Sequence, residues 1–200
     1  VSGGGRRTVS VPSAAPPATP GAAMNSAQGL YESGRYREVI DSVNAGDRSA
    51  QALWFAAQSS LRLGQREDAA SQFAQLPQVG GNPAWQAVSD LALSLLRDNP
   101  EEIDRARGAA AAFPADPFVQ YELGLAHTRR NDLTAAAQAF DRSAQADPRF
   151  AYAYYSSGIA YDRLNRSDLA ISRLEMFEQL APEAPERPEV TSILRTVRAR

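Results

Sequence analysis

The residues that could take part in chemistry are few and scattered in this sequence. It contains one histidine, His127, and no cysteine. A nucleophilic mechanism needs a base held beside the nucleophile, and a zinc site needs three or four suitable ligands. One histidine and scattered carboxylates meet neither requirement, and the lack of cysteine excludes disulfides and thiolate chemistry. We therefore predict no enzyme activity, no metal and no cofactor, and expect His127 to be a packed side chain.

Three further motifs have simpler explanations than catalysis. The glycines at 3–5 lie in a segment with no preceding strand, so they do not fit a phosphate-binding loop. Residues 99–102 read Asn-Pro-Glu-Glu, an order typical of the first turn of a helix, where acids favour the positive end of the dipole. The Arg129-Arg130 pair is most simply a solvated turn.

The composition indicates a helical protein without a strongly charged surface. Hydrophobic residues make up 44% of the 200 residues, and the net charge is −2. That balance gives no basic surface for nucleic acid or an acidic membrane. No apolar run approaches the ~18 residues that span a bilayer. All 21 cationic residues are arginines, which we attribute to the codon bias of a GC-rich, bacterial genome.

Residues 1–21 differ from the rest of the chain. They are dominated by Gly, Pro, Ser, Ala and Thr, and their few apolar residues have no period. Such a segment cannot bury enough surface to offset its chain entropy, so we predict a disordered tail, either a linker or the remainder of a processed segment. Spacers of this kind also follow export signals and lipid anchors. The compartment therefore stays open between cytoplasmic and periplasmic or exported.

From residue 22 onward, short amphipathic helical segments alternate with tight turns. The most regular unit is 116–148, and moving 34 residues along the chain places Gly124 on Gly158 and Ala136 on Ala170. A fixed period of this size is typical of stacked helical pairs. The predicted pairs occupy residues 22–49, 50–82, 83–116, 117–150 and 151–184.

Two boundaries and a terminal element complete this arrangement. Pro77 is expected to end the second helix of pair two, and residues 79–83 mark the break before pair three. Residues 185–200 predict a capping helix, which a solenoid needs because each pair exposes apolar surface to the next. The apolar face of this helix is formed by Val190, Ile193, Leu194 and Val197.

The repeating pattern resembles the tetratricopeptide repeat family, whose unit runs W-x2-L-G-x2-Y, then A-x3-F, then P. Pair three keeps little beyond the spacing to Pro114, and the resemblance covers about residues 22–184. It implies an all-α, right-handed superhelical solenoid of antiparallel helix pairs; a non-repeating helical bundle is the alternative. The matches in pairs four and five are Leu123, Gly124, Ala136, Phe140 and Pro148, then Tyr154, Gly158, Tyr161, Ala170 and Pro182.

The resemblance also implies a binding groove lined by the first helix of each pair. Aromatic, apolar and amide side chains occupy its expected contact positions, and large rings are favoured binding anchors. For each ring the alternative is packing against a neighbouring helix. The Lys, Asn and Arg that hold acidic chaperone tails in some family members are absent. The groove candidates are Tyr31, Trp54, Gln58, Leu91, Phe118, Tyr121, Leu125, Tyr152, Tyr155 and Ile159.

These observations predict a non-enzymatic scaffold that binds a partner protein, as a peptide or a helix, in its concave groove. Two alternatives stay open: a structural protein that forms a homo-oligomer, and an accessory domain of a larger enzyme or secretion complex. If the groove prediction is right, replacing Trp54 and Tyr155 by alanine together weakens partner binding without unfolding the protein.

Overall fold

The computed structural model describes residues 26–199, and within that range α-helices joined by short turns form the whole fold. The predicted tail at 1–21 lies outside the described residues. Between Ser26 and Ala199 there are eleven helices and no strand. The helices are α1 (Ala27–Glu32), α2 (Tyr36–Ala45), α3 (Ala50–Arg62), α4 (Arg66–Gly80), α5 (Ala84–Arg97), α6 (Pro100–Ala110), α7 (Pro117–Arg129), α8 (Leu133–Ala146), α9 (Ala151–Arg163), α10 (Ser167–Leu180) and α11 (Arg187–Arg198).

The first ten helices form five consecutive antiparallel pairs. Helices within a pair pack along each other, and the second helix of each of the first four pairs also packs on the first helix of the next pair. The chain is therefore a right-handed superhelical solenoid, as the 34-residue period predicts. The first helix of each pair (α1, α3, α5, α7 and α9) lines the inner face of the superhelix.

Short polar side chains begin several of these helices. Asn99 accepts hydrogen bonds from the backbone N–H groups of Glu101 and Glu102, at 3.1 and 3.3 Å. Asp116 and Asp132 do the same at the starts of α7 and α8. Each cap satisfies donors that have no partner inside the helix, so the starts of these helices are encoded locally.

Glycine allows the two helices of pair five to approach closely. A Cβ atom added at Gly158 would lie 2.7 Å from the Leu174 side chain. Gly124, at the equivalent position of pair four, contacts the Phe140 ring in the same way. A larger residue at either position would have to displace a buried side chain, which explains the recurrence of glycine at the 34-residue period.

The prediction that Pro77 ends the second helix of pair two is wrong. Pro77 lies inside α4, which continues to Gly80 and ends at Gly81 in the left-handed conformation, with φ of 59°. Proline removes one hydrogen bond of the helical ladder, but here it lies in the last turn, where little of the helix depends on that bond. The glycine that follows ends the helix at no steric cost.

Helix α11 covers the end of the solenoid and confirms the predicted cap. It packs on α10 and buries Val190, Leu194 and Val197, with Ile193 partly buried beside them. Arg195 and Arg198 lie in its last turn, where cations complement the helix dipole. In the part of the chain that the structure describes, no helix is both long and apolar enough to cross a membrane.

Candidate partner-binding site

The ten groove candidates fall into a buried group and a partly exposed group. Leu125, Tyr155 and Ile159 are only partly buried against the core. The other seven are buried, and Trp54 and Tyr152 each keep only 1% of their surface exposed. The buried seven are Tyr31, Trp54, Gln58, Leu91, Phe118, Tyr121 and Tyr152.

Most of the buried rings join in one continuous cluster, which we call the aromatic seam. Its centre is Trp54, whose ring centroid lies 5.0 Å from that of Phe118 and 5.6 Å from those of Tyr121 and Phe150. Edge-to-face contacts of this kind contribute ~0.5–1.5 kcal/mol per pair beyond the buried area. The members are Tyr31, Trp54, Phe55, Phe118, Tyr121, Phe150 and Tyr152.

The seam joins pairs that are not neighbours along the chain. Trp54 of pair two contacts Tyr121 of pair four, and Tyr31 of pair one lies 5.0 Å from Tyr152 of pair five between ring centroids. The superhelix is therefore wound so tightly that its first pairs contact its last. In this region the inner face is filled by the protein's own side chains.

A buried carboxyl group, Glu122, lies at the edge of the seam. Its Oε1 accepts hydrogen bonds from Trp54 Nε1 at 2.9 Å and from Gln58 Nε2 at 3.0 Å. Burial raises the pKa of Glu122 to about 8, although the two hydrogen bonds act in the opposite direction. Glu122 is therefore mostly protonated at neutral pH, which removes the cost of burying a charge.

Polar contacts also tie pair one to pair five. Glu32 accepts hydrogen bonds from Gln28 Nε2 at 3.0 Å and from the backbone N–H of Ala151 at 3.3 Å. Gln28 also donates to the carbonyl oxygen of Arg149, at 3.0 Å. Burial raises the pKa of Glu32 to about 7, against the effect of its hydrogen bonds. The start of the solenoid is thus hydrogen-bonded to the turn before α9.

The entrance to the capping helix carries an ion pair that spans both ends of the solenoid. Arg62 Nη1 of pair two lies 2.8 Å from Glu186 Oε1, and the hydroxyl group of Tyr152 donates to Glu186 Oε2 at 2.7 Å. The Arg62 guanidinium also lies 5.4 Å from the centroid of the Tyr152 ring. Glu186 is 9% exposed, and these partners offset the cost of burying its carboxylate.

A second part of the inner face stays open, and we call it the inner pocket. It has a volume of about 390 Å³ and lies at the C-terminal ends of α3 and α5, against α7. Most of its lining residues are apolar, and the polar ones are Gln58, Glu122 and Arg66. Of the groove candidates, Gln58 and Leu125 line it. Its lining is Gln58, Leu61, Gly64, Arg66, Phe73, Ala92, Leu95, Leu96, Glu122 and Leu125.

The remaining exposed candidates lie on α9. Tyr155 packs on Phe177, with ring centroids 5.1 Å apart, and its hydroxyl group donates to Glu189 Oε2 at 3.3 Å. Ile159 is partly buried, one repeat after Leu125. Neither residue is among those that line the inner pocket.

Sequence reasoning missed the polar residues that connect the two ends. Glu122 follows Phe118 by four residues, so both lie on one face of α7, and a carboxylate on an aromatic face was the available signal. Arg62 and Glu186 lie 124 positions apart along the chain and carry no such local signal. Within residues 26–199, no group of three or more Asp, Glu or His side chains could hold a metal ion.

Comparison with known proteins identifies the fold. No family model matches the sequence, and no curated protein is significantly similar to it. A chain of the APC/C hetero-tetramer Cut9–Hcn1 superposes with a TM-score of 0.56 and 19% identity, over 84% of this chain and 33% of that chain. This protein thus spans about a third of that chain's length. MamA from AMB-1 superposes with a TM-score of 0.46 and 14% identity, over 84% and 95% of the two chains. The Cut9–Hcn1 likeness, together with the five helix pairs, shows that this chain has the fold of a tetratricopeptide repeat solenoid.

Proposed function

We propose that the protein is a non-enzymatic scaffold that binds a segment of a partner protein, as a peptide or a helix, at its inner face. The fold supports a general protein-binding role, since proteins of this architecture act as interaction scaffolds. Cut9–Hcn1 is itself a hetero-tetramer, an assembly of two kinds of chain. The inner pocket is the place where this chain can receive the partner.

The observation that carries this proposal is the apolar lining of the inner pocket. Leu61, Leu95 and Leu125 come from three inner helices and converge on one concave space. A volume of about 390 Å³ admits one or two large apolar side chains. The exposed side chain of Arg66, which also lines the pocket, offers hydrogen-bond donors to the backbone of a bound segment. Tyr155 and Ile159 extend the proposed surface along α9.

Binding can be tested by placing a charge in the pocket. Leu125→Asp should abolish capture of partners from an extract of the source organism, because a carboxylate would be buried against the leucines. Val79→Asp is the matched control, because Val79 is 41% exposed and does not line the pocket. Circular dichroism melting of both variants checks that the fold is retained. Partners captured equally by folded Leu125→Asp would overturn the proposal.

The same variants distinguish binding of a different protein from binding of a second copy of this chain. Sedimentation of the purified protein at high concentration shows whether the wild type self-associates. If wild-type dimers disappear in Leu125→Asp and persist in Val79→Asp, the inner pocket binds a second copy of this chain and not a different protein. A monomeric wild type that captures a partner supports the scaffold as proposed.

A further inference from the structure

A cleft between α6, α7 and α8 has a chemical character opposite to that of the inner pocket. We call it the Arg107 cleft; its volume is about 630 Å³. Three basic side chains reach it, one from each helix, together with the carboxylate of Asp104, and small apolar residues form much of the rest. Its lining is Asp104, Arg107, Gly108, Ala111, Pro114, Gln120, Leu123, His127 and Arg142.

The guanidinium group of Arg107 is incompletely hydrogen-bonded. Its Nη1 lies 3.1 Å from Asp104 Oδ1, and its Nη2 lies 3.4 Å from His127 Nδ1. Its Nε is buried and has no hydrogen-bond partner among residues 26–199. An unsatisfied buried donor costs ~1–3 kcal/mol, and more when the group is charged. Arg107 therefore carries a donor that its contacts within the described residues do not satisfy.

Arg142 is held in place by a different set of contacts. Its Nε donates to Gln120 Oε1 at 2.7 Å, and Gln120 Nε2 donates in turn to the carbonyl oxygen of Phe113 at 3.1 Å. These bonds fix the guanidinium group at the cleft. Arg142 forms no ion pair with any residue in the described range, so its charge is not neutralised there.

The charges around the cleft leave an excess of positive charge. Asp104 is shared, because its Oδ2 also lies 3.1 Å from Arg130 Nη1. His127 Nδ1 lies 3.5 Å from Asp132 Oδ2. Burial lowers the pKa of His127, and the charges of Arg107 and Arg142 lower it further against the opposing effect of Asp132. Among the residues that line the cleft, two guanidinium groups therefore face one carboxylate, which is shared with Arg130, while the imidazole is neutral.

We propose that the Arg107 cleft binds a carboxylate. Arg107 and Arg142 would donate hydrogen bonds to the carboxylate oxygen atoms, because guanidinium groups match the planar geometry of a carboxylate. Leu123, Ala111 and Pro114 would contact the aliphatic part of the same molecule. The excess of about one positive charge matches the charge of one carboxylate. The ligand is either a small free carboxylic acid or an acidic side chain of a peptide.

The single histidine provides a direct readout of this binding. His127 gives the only imidazole signals in the proton NMR spectrum of the protein, so they need no assignment. Succinate should shift these signals saturably at constant ionic strength, and chloride should not. Binding should also raise the pKa of His127, because the ligand's negative charge opposes those of Arg107 and Arg142. A glutamate-containing peptide with blocked termini, titrated in parallel, distinguishes a small free carboxylic acid from an acidic side chain of a peptide as the ligand.

Two variants locate the site. Arg142→Gln should weaken binding by about tenfold or more, since a charge-assisted hydrogen bond contributes ~1.5–3 kcal/mol. Arg105→Gln is the control: Arg105 is exposed on α6 and does not line the cleft. Equal weakening in both variants, a linear response to succinate, or tighter binding of inorganic phosphate than of either carboxylate would overturn the proposal.

Discussion

The inner face of this solenoid is divided into two regions that the same helices supply. The N-terminal halves of α3 and α7 carry Trp54, Phe118 and Tyr121, and these rings fill the aromatic seam. The C-terminal ends of α3 and α7 carry Leu61 and Leu125, which line the inner pocket. Large rings close the gap between non-neighbouring pairs, whereas leucines leave it open. Side-chain size on the inner helices therefore decides where the inner face is filled and where it stays open.

Truncating the centre of the seam should have the largest effect on stability. Trp54→Ala removes a side chain that contacts four other rings, so we expect the free energy of unfolding to fall by ~3–5 kcal/mol. Urea denaturation measures it. Trp85→Ala is the matched control, because Trp85 is only partly buried and contacts one ring, Phe118. Equal losses in both variants would contradict the central position of Trp54. A double alanine variant at Trp54 and Tyr155 would thus test the fold as well as binding.

Two leucines at equivalent repeat positions sharpen the same comparison. Leu91 and Leu125 are 34 residues apart, and Leu91 is fully buried whereas Leu125 lines the inner pocket. Leu91→Ala should lower the free energy of unfolding by ~2–4 kcal/mol, because it leaves a cavity. Leu125→Ala should lower it by about 1 kcal/mol or less. Chemical denaturation of both variants gives the difference, and a Leu125 loss as large as that of Leu91 would show that the pocket is part of the packed core.

The sequence predicts the solenoid because its signals are local. Helix caps such as Asn99 and Asp132, and close contacts such as Gly158 with Leu174, lie within one pair and recur with the repeat. The seam depends instead on the cumulative rotation from pair to pair. Trp54 and Glu122 are 68 positions apart, and no residue near either one specifies how tightly the superhelix winds. The identity of inner-face residues was therefore predictable, but not which of them are buried.

Glu122 lies between the two regions, and its ionisation should make stability depend on pH. Its pKa is about 8 in the folded protein and near 4.5 when exposed, so folding favours the protonated form. This contribution is fully present below pH 4.5 and is lost as the pH rises toward 8, with a slope of up to ~1.4 kcal/mol per pH unit. Glu32, with a pKa of about 7, should also lower the stability as the pH rises, and its contribution should be lost as the pH approaches 7.

The variant Glu122→Gln separates the two carboxyl groups. It keeps an amide oxygen for the hydrogen bonds from Trp54 and Gln58 but cannot ionise. Urea midpoints measured from about pH 4.5 to 8.5 should therefore lose the decline between pH 7 and 8, and below pH 7 keep only the part that Glu32 contributes. Glu32→Gln should keep the decline between pH 7 and 8 and make the decline below pH 7 less steep. If the decline in stability between pH 7 and 8 persisted in Glu122→Gln, the ionisation of another group would be its cause.

The smallest expected effect concerns the ion pair that spans the ends of the solenoid. Arg62→Gln leaves Glu186 buried with only the Tyr152 hydroxyl as a partner, so we expect a loss of about 1 kcal/mol, reduced by the partial exposure of Arg62. Arg129→Gln breaks a pair of similar length, with Asp98 at 2.6 Å, but both side chains are more than half exposed. We expect no measurable change there, because water and salt screen an exposed pair. Thermal denaturation of the two variants in parallel compares a contact within the closed inner face with one on the surface. Equal stability of both would mean that the rings of the seam hold the ends together without the ion pair.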